Sequence, residues 1–165
     1  MCNDVGIRPL IGSEFRFSLL SGQGESDPMQ LTTYLNFSGN CESAFNFYTK
    51  TLGGKITLLM RLGESPMADE VPVEMKDKIM HATLELPDGG VLMGADHPHG
   101  KKVSPAGFYV SVQVKGAAEA ERIFKALSEG GQVQMAFQKT FWSPGFGMCI
   151  DRFEIPWMVN CAAVA

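Results

Sequence analysis

The sequence predicts an α+β fold of paired βαβββ modules forming an open, cup-like mixed sheet. Three observations carry that expectation: alternating strand patterns near residues 31–37 and 108–114, an amphipathic helical stretch after each, and a Gly-Gly stop closing each helix. One such module would leave the apolar face of its sheet incompletely covered. Two modules solve this by joining their sheets, with one helix on the outside of each.

The first module is read over residues 29–96. Leu31, Thr33, Leu35 and Phe37 alternate with Thr32, Tyr34 and Asn36, the period of a half-buried strand. Gly39-Asn40 breaks the strand, and Ala44, Phe45, Phe47, Tyr48 and Leu52 follow at helical spacing, with Asn40 as the expected N-cap and Gly53-Gly54 as the stop. Lys55 to Arg61 reads as extended. Residues 62–78, with Gly63, Pro66, Pro72 and several charges, read as a long loop. Ile79 to Leu86 and Val91 to Ala95 read as a strand pair joined through Pro87-Asp88-Gly89-Gly90.

The second module is read over residues 105–161. Phe108, Val110, Val112 and Val114 alternate with Tyr109, Ser111 and Gln113, and Gly116 opens a helix whose stripe is Ala120, Ile123, Phe124 and Leu127. Gly130-Gly131 closes it, and Gln132 to Phe141, Phe146 to Ile150 and Pro156 to Asn160 complete the extended segments. Ala44 through Gly54 overlays Ala120 through Gly131 with one residue of slippage. Residues 1–28, ending in Ser21-Gly-Gln-Gly-Glu-Ser-Asp-Pro28, are expected to form an N-terminal extension or flexible tail, with Phe15, Phe17, Leu19 and Leu20 as candidates to cover an apolar patch.

Composition narrows the function. The 165 residues fit one core, and 45% hydrophobic with 19% charged residues is a globular balance. A formal charge of -4, with Lys101-Lys102 as the one basic doublet, argues against nucleic acid as a partner. No run approaches the roughly 20 apolar residues that cross a bilayer, and no secretory signal is evident, so the expected location is cytoplasmic with no membrane partner. Cysteines at 2, 41, 149 and 161 lack C-x-x-C spacing and read as reduced thiols.

Strand parity sorts the candidate site residues. If Leu31, Leu35 and Phe37 face the first helix, then Thr32, Tyr34 and Asn36 face the concave side, and Tyr109, Ser111 and Gln113 do so in the second module. On the later strand of the first module, His81, Thr83 and Glu85 would line the cup. His81 is the leading titratable group, with Glu85 on its face and Asp96 aimed at the cup mouth as partners in proton transfer or a displaced metal site. Thr32, Tyr34, Tyr109, Gln113, Gln138 and Trp142 are the candidate ligand contacts; a wholly internal polar network is their other reading. Trp157, grouped with Val159, is assigned to the core. Cys41, at a helix start, is a candidate thiolate without an adjacent base, and His97 and His99 flank Pro98 in a loop.

Tyr34-Leu35-Asn36-Phe37-Ser38-Gly39-Asn40-Cys41-Glu42-Ser43-Ala44-Phe45-Asn46-Phe47-Tyr48, then Asp77-Lys78-Ile79-Met80-His81-Ala82, Thr140-Phe141-Trp142, Asp151-Arg152-Phe153 and Trp157 together resemble the PhnB-like proteins. These are glyoxalase-related members of the vicinal oxygen chelate superfamily, and the resemblance covers about residues 29–161. It implies the cup-like fold, a small-molecule ligand and a homodimer. In the family ending a Gly follows Asp-x-Phe; Glu154 stands there instead, which puts the tight turn in question.

The superfamily commonly holds a divalent metal through one residue from each of four strands. Carried over, its first His falls on Thr32, its second-module His on Tyr109, its first Glu on Met93 or Gly94 and its last Glu on Met158. A hydroxyl, a phenol and thioethers do not replace two imidazoles and two carboxylates, so the standard glyoxalase metal site is not preserved and the cofactor is unknown. Some PhnB-like proteins carry a methyltransferase label. No Gly-rich strand-to-helix motif for S-adenosylmethionine or a dinucleotide is evident, because both Gly-Gly pairs follow helices. The expectation is a small-molecule-binding glyoxalase-like protein with possible enzymatic activity on an unidentified metabolite. The alternative is noncatalytic ligand binding or sequestration, as in antibiotic-binding resistance proteins.

Overall fold

A computed structural model of the chain describes residues 30–66, 68–97 and 105–162. Leucine, valine and aromatic side chains at every second position give eight strands, and two apolar stripes at helical spacing give two helices. The order is β1 (Thr33–Phe37), α1 (Cys41–Leu52), β2 (Lys55–Arg61), β3 (Ile79–Glu85), β4 (Val91–Asp96), β5 (Val110–Val114), α2 (Ala117–Ser128), β6 (Gln132–Gln138), β7 (Gly145–Ile150) and β8 (Pro156–Cys161). The loop after β2 carries two short 3-10 turns, Leu62–Glu64 and Val73–Met75.

The strands form two four-stranded sheets ordered β1-β4-β3-β2 and β5-β8-β7-β6. In each, the strand before the helix pairs parallel with the last strand of its module, and the other pairings are antiparallel. The repeat read from the helices therefore extends to the complete topology. Each sheet is hydrogen-bonded within its own module, so the mixed sheet expected to be continuous is two four-stranded mixed sheets.

Helix α1 packs on β3 and α2 on β7 and β8. Leu35, Phe37, Ala82, Leu84, Leu92, Val110, Trp157 and Val159 lie on the helix side of their strands and are buried. Burying each leucine, valine or phenylalanine among them fully contributes about 1.5–3 kcal/mol. Gly94 lies on that side too: a Cβ there would come within 2.8 Å of the Phe45 ring and 2.9 Å of the Leu35 carbonyl oxygen, so only glycine permits the approach of α1. Its neighbour Met93 consequently takes the open face, opposite the helix.

The ends of the elements depart from expectation in physically simple ways. Leu31 precedes β1 and is 98% exposed, because no β4 residue pairs with it. Asn40 makes no side-chain cap; its carbonyl accepts the Ala44 N–H, and the Cys41 N–H is taken by Asp96 instead. Gly53 ends α1 in the left-handed region at φ 75°, its N–H donating to Thr49. In the second module α2 already ends at Ser128, before the Gly-Gly pair, and β6 ends at Gln138, three residues short of Phe141.

The two modules share one core within the chain. Tyr48 of α1 donates a 2.6 Å hydrogen bond to Asp151 of the second module, and Trp157 Nε1 donates to the same carboxylate oxygen at 2.8 Å. The other oxygen accepts the Phe153 and Ile155 amides at 2.8 and 3.0 Å. Arg122 of α2 also donates to the Thr51 carbonyl of α1 at 2.8 Å. Burial pushes the Asp151 carboxyl above its ordinary value, against the opposing pull of the Tyr48, Ile155, Trp157 and Phe153 hydrogen bonds. The turn beyond Asp151 forms without glycine: Glu154 sits at φ 68° and its N–H donates to the Asp151 carbonyl.

This joint sets how stability responds to substitution and to pH. Asp151→Asn keeps an acceptor for the two amides but turns a donor toward Trp157 Nε1, leaving that buried group unpaired, and should cost about 1–3 kcal/mol by urea denaturation. Because the folded pKa is raised, the Asp151 contribution is fully present below the ordinary value of 3.8 and is lost as pH rises through the raised value. The stability advantage of the natural protein over the Asn variant should therefore be largest at the acid end of that window. Glu154→Gly relieves the left-handed backbone and should raise stability by about 0.5–1 kcal/mol, read as an increase in Tm.

Candidate functional site

The open faces of the two sheets bring together several of the residues that parity selects. In the first sheet Tyr34 pairs in register with Met93, and Met93 with Thr83 of the next strand. Tyr34 reaches over β4 to β3, where its hydroxyl lies 3.2 Å from His81 Nδ1 and the two rings are 5.6 Å apart. His81 Nε2 lies 3.2 Å from Thr83 Oγ1. Both partners are hydroxyls that can donate or accept, so either neutral tautomer of the imidazole is satisfied. Thr32 Oγ1 approaches Met93 Sδ at 3.9 Å.

Glu85 and Asp96 do not join His81. Glu85 lies four residues along the same strand, about 13 Å away at 3.3 Å per residue, and accepts a hydrogen bond from Thr57 at 3.1 Å. Asp96 is 6% exposed and turned toward α1: one carboxylate oxygen accepts the Cys41 N–H and the other the Ile79 N–H, both at 2.9 Å. It shares the helix-side parity of Gly94, and the unpaired amides at the starts of α1 and β3 draw the carboxylate inward. The expected aim of Asp96 at the cup mouth is thereby corrected.

The open face of the second sheet is a network of neutral polar groups. Tyr109 donates to Gln134 Oε1 at 2.9 Å, Gln113 Nε2 to Ser111 Oγ at 2.9 Å, and Asn160 Nδ2 to Gln113 Oε1 at 2.6 Å. Asn160 Oδ1 is buried and has no hydrogen-bond partner among the described residues. Sequence reading passed over Asn160, although its parity with Met158 on β8 marked it for this face. Gln138 is exposed opposite Phe146 on β7. Trp142 is half-exposed, in edge contact with Phe141 at 4.5 Å and Phe146 at 5.8 Å. A cavity of about 520 Å³ runs between the modules; Thr33 and Leu92 line one side and Tyr109, Ser111, Gln113 and Trp157 the other. Its volume suits a small ligand, but it includes neither His81 nor Asn160.

The three cysteines among the described residues, Cys41, Cys149 and Cys161, are buried. Cys41 is buried, and burial, then Asp96 and Glu42, push its thiol up, the reverse of a stabilised thiolate. Cys149 is pushed up to about 12, first by burial and then by Asp151. Trp157 is fully buried, as its grouping with Val159 requires. The His97 amide donates to Phe37, whereas His99 lies outside the described residues, as do residues 1–28 with their apolar side chains.

The metal and methyl-donor sites of related folds can be tested against these residues. Thr32, Met93, Tyr109 and Met158 offer a hydroxyl, a phenol and two thioethers, and among the described residues no three His, Cys, Asp or Glu side chains cluster to hold an ion. A hard divalent cation does not fit that donor set. The N-terminus of α1, where an anionic group would bind, is filled by Asp96, and Lys78 folds over Gly39 to donate to its carbonyl at 3.0 Å. Gly53-Gly54 and Gly130-Gly131 both follow helices, so the S-adenosylmethionine cradle of a doubly wound sheet does not fit either.

Two βαβββ modules, each with a helix on one face and an open face opposite, define a protein of the vicinal oxygen chelate fold. The same fold is seen in a glyoxylase/bleomycin resistance protein/dioxygenase domain from Frankia sp. EAN1pec, with a TM-score of 0.54 at 16% identity, covering 87% of this chain and 99% of that one. The sequence profile described as 3-demethylubiquinone-9 3-methyltransferase matches residues 29–160, and the chain belongs to that PhnB-like family. It is 35% identical over 140 residues to Protein YjdN of Escherichia coli (strain K12), covering 80% of this chain and 95% of that protein. It is also similar to protein PA1353 from Pseudomonas aeruginosa, with a TM-score of 0.74 and 45% identity over 82% of this chain and 98% of that one. A PhnB protein from Bacillus cereus, described as a putative 3-demethylubiquinone-9 3-methyltransferase, gives a TM-score of 0.67 at 26% identity, covering 81% and 100%.

The inward turn of Asp96 gives it a structural role at the starts of α1 and β3. Asp96→Asn should remove one charge-assisted bond at the start of α1 or β3 and cost about 1–3 kcal/mol by urea denaturation.

Proposed function

We propose that this protein binds a small neutral molecule on its open faces, with His81 and Asn160 as its directional polar contacts. The observation that carries the reading is the unpaired, buried Asn160 Oδ1. A buried acceptor left without a donor costs about 1–3 kcal/mol, and a ligand hydroxyl or N–H would remove that penalty. His81, whose two ring nitrogens lie 3.2 Å from the Tyr34 and Thr83 hydroxyls, would exchange one of these contacts for the ligand on the other sheet.

Noncatalytic binding is favoured over turnover, because neither Glu85 nor Asp96 reaches His81 to assist proton transfer. An enzymatic reading rests on one contact: Tyr34 and His81 are close enough for the imidazole to act as acid or base with the phenol as a relay. Among the described residues nothing supports the methyl transfer that the family's name suggests, since both Gly-Gly pairs follow helices.

Native mass spectrometry of the protein taken from a crude extract, followed by chromatography of what it releases, distinguishes these readings. The expected outcome is a saturable metabolite of unchanged mass on prolonged incubation, with retention weakened about tenfold or more in His81→Ala and in Asn160→Val. A released product of altered mass that disappears in His81→Ala would establish the enzyme. Retention that neither substitution alters would remove the open faces as the site.

A further inference from the structure

The cavity of about 520 Å³ between the modules is lined by every residue from Tyr109 to Val114 in succession. Successive residues of a strand face opposite sides of the sheet, so a cavity over one face touches every second residue. One that touches them all lies along the strand's edge. β5 is the end strand of its sheet and is bonded to β8 on one side. The Val114 carbonyl accepts the Ala162 N–H at 2.8 Å, which turns the backbone of Val114, and with it that of Val110 and Val112, toward β8. The N–H and C=O groups of Ser111 and Gln113 therefore point the other way, into the cavity. No strand among the described residues pairs with them.

The same wall leaves aliphatic surface half covered. In the first module Leu35 and Phe37 on the helix side of β1 are fully buried, whereas Val112 and Val114 on the helix side of β5 are only half-buried. Leu52 at the end of α1 and Leu86 just after β3 line the cavity with them and are half-buried too. On the other parity Tyr109, Ser111 and Gln113 offer hydroxyls and an amide. The charged lining residues are Asp88, which is exposed, and Glu119, whose carboxylate is already paired with Arg122 at 2.7 Å.

We propose that this seam binds a short, uncharged linear peptide, held extended along the free edge of β5 with aliphatic side chains at every second position. Its backbone pairs with the amides and carbonyls of Ser111 and Gln113, which recur about every 6.6 Å, the two-residue period of a strand. An extended peptide matches that alternation of positive N–H and negative C=O along its length, whereas a compact ligand meets it once. Its aliphatic side chains cover Leu52, Leu86, Val112 and Val114, and its intervening polar ones lie beside Tyr109, Ser111 and Gln113. The five residues of β5 set the matching length, about 17 Å of edge. The site is separate from the open-face one proposed above, since neither His81 nor Asn160 lines it.

The test uses the full chain labelled with 15N and two capped pentapeptides of one composition, acetyl-Leu-Ser-Val-Thr-Leu-amide and the rearranged acetyl-Leu-Leu-Val-Ser-Thr-amide. The expected result is saturable binding of the alternating peptide, about tenfold or more tighter than the rearranged one, with hydrogen exchange of the Ser111 and Gln113 amides slowed about tenfold or more at saturation. Ser111→Pro removes a donor from the free edge without touching the β8 ladder, and Val112→Thr puts a hydroxyl among the aliphatic side chains. Each should weaken binding about tenfold. Equal binding of the two peptides would overturn the alternation. Binding that leaves both amides exchanging as fast as before would overturn the pairing with β5, and unchanged affinity in folded Val112→Thr would overturn the aliphatic contacts. Both amides already protected in a free protein of twice the chain mass would place a second copy on the edge and overturn the proposal, as would binding of neither peptide.

Discussion

The carboxylate of Asp151 is the point on which the two halves of this protein depend. It accepts hydrogen bonds from Tyr48 on α1, Trp157 on β8 and two amides of its own turn, so one buried group joins a helix, a strand and a loop. Removing a carboxylate from water is costly, and four donors offset that cost only while all of them are held in place. The joint therefore links the packing of the first helix to the register of the last strand. The T-shaped contact of Tyr48 with Trp157, 5.1 Å between ring centroids, fills the space around it.

With the helices joined on one side, the opposite faces of both sheets are left to other uses. Branched and aromatic residues line the helix side, where close packing decides stability. The open side carries thioethers, hydroxyls, amides, one imidazole and, at the far end of β3, Glu85 paired in register with Lys55. The division follows from the alternation of a strand: each β8 residue belongs to the core or to the open face, and residues one apart face different demands. Asp96 shows the same rule from the other direction, since its parity with Gly94 commits it to the helix side whatever its chemistry suggests.

Much of the fold was legible because its signals are local. Alternation, helical stripes and glycine stops lie within a few residues of one another, and their repetition along the chain revealed two equivalent modules. The site was less legible. Tyr34 and His81 are 47 residues apart and meet across an intervening strand, so their contact depends on the order β1-β4-β3. His81 and Glu85 share a face, but the rise of the strand separates them. Glu154 forms its turn without glycine because the amides of Phe153 and Ile155 are anchored on Asp151, and that anchoring is tertiary.

The sequence by itself determined the repeated βαβββ unit and the faces of most strands. These are matters of residue type and short-range period. Tertiary structure decided that Met93 rather than Gly94 takes the open face, that Asp96 turns inward, and that Asn160 Oδ1 lacks a partner. It also decided that the modules meet within one chain through Tyr48, Asp151 and Trp157. Each depends on which distant groups compete for the same donor, acceptor or space, and that competition arises only when the chain is folded.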